Sequence, residues 1–120
     1  MVHRFWVRRK QGFRNAEEAL SASLTSVLSL TNAARTAIYH RYDIEGMNDE
    51  EAAYVSRSIL SMVQRDELFS EMPPCSWALG VEMLGGQFDQ RSDSKAMCIQ
   101  LVYPHLNCSV RCATFYCFDS

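Results

Sequence analysis

Hydrophobic and polar residues alternate along His3–Arg9, where Phe5 and Val7 interleave with Arg4, Trp6 and Arg8. A period of two marks a half-buried strand, so this stretch is predicted to be one. Gly12 ends it, and Asn15 with Glu18 three residues on has the spacing of a capping box. Ala16, Leu20, Leu24, Val27 and Leu28 then recur every three or four residues, as one face of a helix does. A second strand is expected from about Arg35 to Glu45, with Thr36, Ile38, His40, Tyr42 and Ile44 on one side. Ala37, Tyr39, Arg41, Asp43 and Glu45 fall on the other, and Gly46 closes the run. Asn48 and Glu51 repeat the capping-box spacing, and Ala52, Val55, Ile59 and Met62 define the buried stripe of a second helix.

The stretch Glu71-Met72-Pro73-Pro74 is a stiff connector, because neither proline can continue a helix. Beyond it the pattern restarts. Trp77, Leu79, Val81 and Met83 alternate as a third strand up to Gly85-Gly86. Ser92 or Ser94 is placed to cap a third helix whose apolar stripe is Met97, Cys98, Leu101 and Val102, and Pro104 stops it. A last strand runs from about Ser109 to Phe118. The order is β-α-β-α followed by β-α-β, a repeat of architecture without convincing identity between halves. The expected fold is α+β, a sheet with helices on one face of the ferredoxin-like kind. A strand so close to Ser120 invites edge pairing, and is read as the end of a truncated second half.

With 120 residues and 13.7 kDa, the chain fits one domain, residues 1–120. Its first half is placed at about 1–72 and its incomplete second half at about 75–120. Apolar residues at 48% and charged ones at 22% exclude wholesale disorder. Apolar runs of only a few residues leave no membrane helix, and charges threaded through His3–Lys10 do not make a secretory signal. A net charge of -2 argues against a dedicated nucleic-acid binder. The five cysteines, Cys75, Cys98, Cys108, Cys112 and Cys117, form no CxxC pair. They are read as reduced thiols of a cytoplasmic protein, with Cys108, Cys112 and Cys117 serving as small apolar residues of one strand.

The densest polar segment runs from Gly85 to Ser94, between a strand and a helix start. Its glycines allow close backbone approach, helix-start amides hold anions, and Arg91 adds a planar donor fork beside Asp89 and Asp93. One reading is a ligand or domain-docking loop, the other a solvated connector whose aspartates and serines cap the helix. In the run His40–Gly46, alternation sets Asp43 and Glu45 opposite His40, so the three form no triad. A structural edge with a charged row is the expectation there. Arg4, Arg8, Arg9 and Lys10 around Trp6 offer a phosphate grip or a plain surface strand. No nucleophile elbow, P-loop, zinc-protease or dinucleotide motif occurs.

Two phrases together carry a resemblance. Tyr42-Asp43-Ile44-Glu45-Gly46 followed by Asn48-Asp49-Glu50, and Gly86-Gln87-Phe88-Asp89-Gln90-Arg91-Ser92-Asp93-Ser94 continued by Cys98-Ile99-Gln100-Leu101, resemble the large form of phosphoribosylformylglycinamidine synthase. The likeness covers nearly the whole chain. It implies the N-terminal PurS-like domain of that ligase, a duplicated β-α-β-α-β plan with its second half truncated here. The parent enzyme converts formylglycinamide ribonucleotide to its amidine with ATP, magnesium and ammonia released from glutamine. This domain would lie between the synthetase and glutaminase domains, binding no cofactor and carrying no catalytic residue. By the same resemblance Gly86, Gln87, Phe88, Asp89, Gln90, Arg91, Asp93 and Ser94 are the docking or ammonia-route residues. In that reading, Asp89 or Asp93 holds Arg91 in place. The chain departs from the family at Gly85, where a proline is usual, and at Ser61-Met62-Val63-Gln64-Arg65-Asp66. The alternative is a free-standing ferredoxin-like interaction or small-ligand module.

Overall fold

A computed structural model describes residues 2–28, 35–62, 64–75, 77–82 and 89–119. Met83, Gly85, Gly86, Gln87, Phe88 and Val63 lie outside the described residues, as do the side chains of Leu24, Val27 and Leu28. The elements are β1 (Val2–Arg9), α1 (Asn15–Leu28), β2 (Arg35–Glu45), α2 (Asp49–Val55), β3 (Asp66–Phe69), β4 (Trp77–Glu82), α3 (Gln90–Val102) and β5 (Ser109–Asp119). The strands form one antiparallel sheet in the order β3-β1-β2-β5-β4. This is the α+β class expected. β2 lies inside the sheet, paired on both sides, and not at the edge that its charged row suggested.

The strand pairing contains an internal repeat. Adding 74 to both members of the β1–β2 pair Val7↔His40 gives Val81↔Thr114, which is a β4–β5 pair. The same shift carries His3↔Ile44 onto Trp77↔Phe118, and the last residue of α1, Leu28, onto that of α3, Val102. β2 and β5 pair with each other along all eleven residues, and His40 faces Thr114 at the centre. His40 and Thr114 are themselves related by the shift, so a pseudo-two-fold axis passes between them. Among the described residues only β1 has a further neighbour, the short strand β3. β5, expected to offer an open edge, instead lies inside the sheet between β2 and β4; β3 completes a β-α-β-α-β first unit, while the second reads β-α-β.

Two apolar layers hold the sheet. On one face Val7, Tyr42, Ile44 and Cys112 pack against Ala52, Val55 and Leu60 of the α2 segment and Ile99 of α3. Each fully buried aliphatic side chain there contributes about 1.5–3 kcal/mol. On the other face Trp6, Tyr39 and Cys117 gather Phe69 and Phe115, with Met72 and Cys75 of the connector laid over them. Trp6 meets Phe115 edge-on at 4.9 Å. The Phe115 ring fits over Gly80, where an added Cβ would come within 2.7 Å of it. Gly46 has φ +104, and a side chain there would reach 2.6 Å from the Asn107 carbonyl.

Several expected burial stripes shift. The capping box at Asn48 and Glu51 forms, but the helix widens after Val55 into a π-turn, Ser56–Leu60. The extra residue per turn brings Ser56 and Leu60 inward and leaves Met62 51% exposed. Ala16 is exposed while Glu17 is buried, because Glu17 serves the sheet edge. In α3 only Ile99 is buried; Met97, Cys98, Leu101 and Val102 are exposed, contrary to the predicted stripe. The helix turns Ser92 and Lys95 toward the sheet instead, and the Lys95 ammonium donates to the Ile59 carbonyl at 3.0 Å.

β4 shows the largest departure. All six of its residues are exposed, with Trp77 at 72%, Leu79 at 59% and Val81 at 51%. Val7, the counterpart of Val81, is 4% exposed. The chain's accessible surface is 8013 Å², against roughly 6,600 Å² for a folded chain of this mass. None of the five cysteines is in a disulfide; Cys112 and Cys117 are buried on opposite faces of β5.

Candidate functional site

The start of α3 sits at the centre of the pseudo-symmetric sheet. Its N-cap is Asp89, not Ser92 or Ser94: the carboxylate accepts from the Arg91 and Ser92 amides at 3.1 and 3.2 Å and from Ser92 Oγ at 2.7 Å. Asp89 is thereby occupied with the cap. The Arg91 guanidinium meets the His40 ring, so neither Asp89 nor Asp93 holds its fork as expected. Thr114 Oγ1 lies 3.5 Å from the same ring. Of the predicted residues, Asp89, Gln90, Arg91, Asp93 and Ser94 thus share the first turn of α3, and Gly86, Gln87 and Phe88 fall outside the described residues. His40, Thr114 and Lys95 were not in the predicted set. The signal available for them was register, since facing β2 and β5 sets His40 beside Thr114.

Arg91 separates two recesses. One, of about 630 Å³, lies toward β4 and is lined by Val81, Glu82, Asp89, Gln90, Arg91, Ser94, Lys95, Cys112, Ala113 and Thr114. The other, of about 610 Å³, lies toward α1 and includes Phe13, Ala16, Ile38, His40, Thr114 and Tyr116. Burial, and then the Arg91 charge, push the His40 pKa down to about 4. The imidazole is therefore neutral at pH 7. Burial raises Tyr42 to about 12 and lifts the Cys112 thiol above its ordinary value. Cys112 is consequently held as a thiol, the inert form for nucleophilic attack. The arrangement offers one guanidinium beside a neutral ring, suited to holding a carboxylate or phosphate rather than to moving protons.

The other polar runs are taken up structurally. On the face opposite His40, Arg4 grips Asp43 through two bonds of 2.7 and 3.1 Å, and Arg41 pairs with Asp43 and Glu82. Arg8 holds Glu17 bidentately at 2.9 and 2.8 Å, and Arg9 lies 3.7 Å from Asp66. Arg4, Arg8 and Arg9 of the basic cluster thus have acidic partners within the chain, and Trp6 is buried against Tyr39, Cys117 and Phe115. Among the described residues no group of three metal-ligating side chains occurs, and no helix is long and apolar enough to cross a membrane. Comparison with protein-family models, with curated proteins and with solved structures finds no match.

Proposed function

We propose that this chain is a docking domain without chemistry of its own, acting as the N-terminal scaffold of a phosphoribosylformylglycinamidine synthase in the cytoplasm. The observation that carries the reading is the placement of Arg91. The most specific phrase of the resemblance, running through Asp89-Gln90-Arg91-Ser92-Asp93-Ser94, forms the capped first turn of α3 and presents its arginine between two recesses. The 74-residue repeat in register supports it too, because a duplicated plan is what the resemblance implies. In this reading the synthetase and glutaminase domains are the partners, and ATP and magnesium belong to the synthetase. Arg91, steadied by His40, takes a carboxylate of the neighbouring domain and fixes the path from glutaminase to synthetase.

The test is reconstitution. Purified chain is added to a ligase lacking its N-terminal domain, and amidine formation is followed with glutamine and, separately, with ammonium salt. Wild-type chain restores glutamine-driven turnover. Arg91→Ala restores it several-fold less well, while ammonium-driven turnover changes little. Equal loss with both nitrogen sources contradicts the channel role, and no restoration by wild-type chain contradicts the ligase reading.

A further inference from the structure

The two edges of the sheet are unlike. At one end β3 is four residues long, carries Asp66 and Glu67, and is tied down by Arg9 to Asp66 and Arg14 to Glu67. Shortness and charge are the devices that keep a strand edge from pairing with another chain. At the other end β4 has none of these over Trp77-Ala78-Leu79-Gly80-Val81, and its only charge, Glu82, is turned to Arg41. The apolar residues alternate, and the register with Phe118, Tyr116 and Thr114 puts Trp77, Leu79 and Val81 on the helix-bearing face. Their pseudo-symmetric counterparts are covered: Phe5 is half-buried and Val7 is buried behind α2 and β3.

We propose that β4 is a homodimer interface, pairing antiparallel with β4 of a second copy to make one continuous ten-stranded sheet. The strand is complementary to itself. Centring the pair on Leu79 sets Trp77 against Val81 of the other copy, with all six apolar side chains on one face and no charge opposed. The contact also closes. It consumes both unguarded edges and leaves a β3 at each end, so the assembly stops at two. A foreign acidic or basic segment would find no charge to pair with in residues 77–81. The exposed parts of Trp77, Leu79 and Val81 amount to roughly 350 Å² per copy, about 700 Å² for the pair and below the roughly 1,000 Å² of a stable interface, so a weak, transient dimer that forms only at high protein concentration is expected. The proposal uses neither Arg91 nor another enzyme domain, and it competes for this edge with a helix–strand unit like the one that covers β1, an outcome the experiment separates.

Sedimentation velocity across a dilution series, with hydrogen exchange read in parallel, tests it. The expected result is a monomer–dimer equilibrium, with the amides of 77–82 exchanging at least ten-fold more slowly in the concentrated sample. Leu79→Lys, placing a charge at the centre of the pair, weakens association at least ten-fold. Met97→Lys, on an equally exposed residue of α3, leaves it unchanged. A monomer at every concentration overturns the proposal. So does open-ended growth, or a dimer indifferent to Leu79→Lys whose slowed amides lie elsewhere. The exchange measurement on wild-type chain needs no variant and decides the location even if Leu79→Lys folds poorly. Binding of the β4 edge by a helix–strand peptide copied from residues 47–70, in preference to self-association, also overturns it.

Discussion

Glu17 is the point where a sequence that looks like a plain amphipathic helix does structural work on the sheet. β1 stops pairing with β2 at His40, leaving the backbone of Arg35–Tyr39 open on that side. The Glu17 carboxylate, its side chain only 7% exposed, accepts from the Ile38 amide at 2.9 Å and holds the Arg8 fork at 2.9 and 2.8 Å. Glu17→Ala removes two charge-assisted bonds and one backbone bond, and strands a guanidinium that is 21% exposed. Breaking a fully buried pair costs about 3–5 kcal/mol, and the partial exposure of Arg8 puts this case near the lower limit, about 3 kcal/mol. Glu17→Gln keeps an acceptor for Ile38 and one bond to Arg8, so about half that loss is expected. Arg8→Ala leaves the carboxylate its backbone partner and should cost about 1.5 kcal/mol, with a coupling of about 1–2 kcal/mol in the double variant. Urea unfolding measures all four; for about 3 kcal/mol the midpoint falls by roughly 1.5–2 M. A Glu17→Ala protein within about 0.5 kcal/mol of the parent would refute the role assigned to this residue.

Two further predictions follow from the same geometry. Val7→Ala, at a 4% exposed site, should cost about 2 kcal/mol, whereas Val81→Ala at the equivalent 51% exposed site should cost under about 1 kcal/mol in dilute solution; equal losses by urea unfolding would show that β4 is covered. His40 has a folded-state pKa of about 4 against an ordinary 6.5, so the unfolded chain takes up a proton that the folded chain refuses. Its contribution is therefore complete above pH 6.5 and declines as pH falls toward 4, by up to about 3 kcal/mol at 1.36 kcal/mol per pKa unit. His40→Gln should flatten that acid-side slope, and a slope unchanged by the substitution would assign it to other groups.

Much of the framework was legible because period-two and period-3.6 patterns are strong where one face is buried. β1, β2, β5 and the box at Asn48 stand where the pattern put them. β3 was missed because Asp66-Glu67-Leu68-Phe69 is too short to show alternation, and its Asp66 is buried by pairing with arginines. The inward positions of α2 and α3 differ from the pattern for separate reasons. A π-turn changes phase after Val55, and Lys95 and Ser92 turn inward by making hydrogen bonds of their own. The repeat is nearly silent in the residues, with Val7 and Val81, and Tyr42 and Tyr116, among the few that match at the shift of 74. Pairing register carries it, and register depends on which strands meet. Of the polar segment ahead of α3, Gly85–Phe88 lies outside the described residues, and Asp89–Ser94 forms the cap and first turns of the helix. That His40 and not an aspartate meets Arg91 depends on a neighbour 51 positions away.

The account rests on β1 and β4 being equivalent strands, one covered and one open. Native-state hydrogen exchange in dilute solution tests this most directly, residue against residue. The amides of Trp6 and Val7, flanked by β2 and β3, should exchange only through global unfolding, while those of Gly80–Glu82 that face away from β5 should exchange at least a hundred-fold faster. Equal protection of the two sets in a monomeric sample would contradict it.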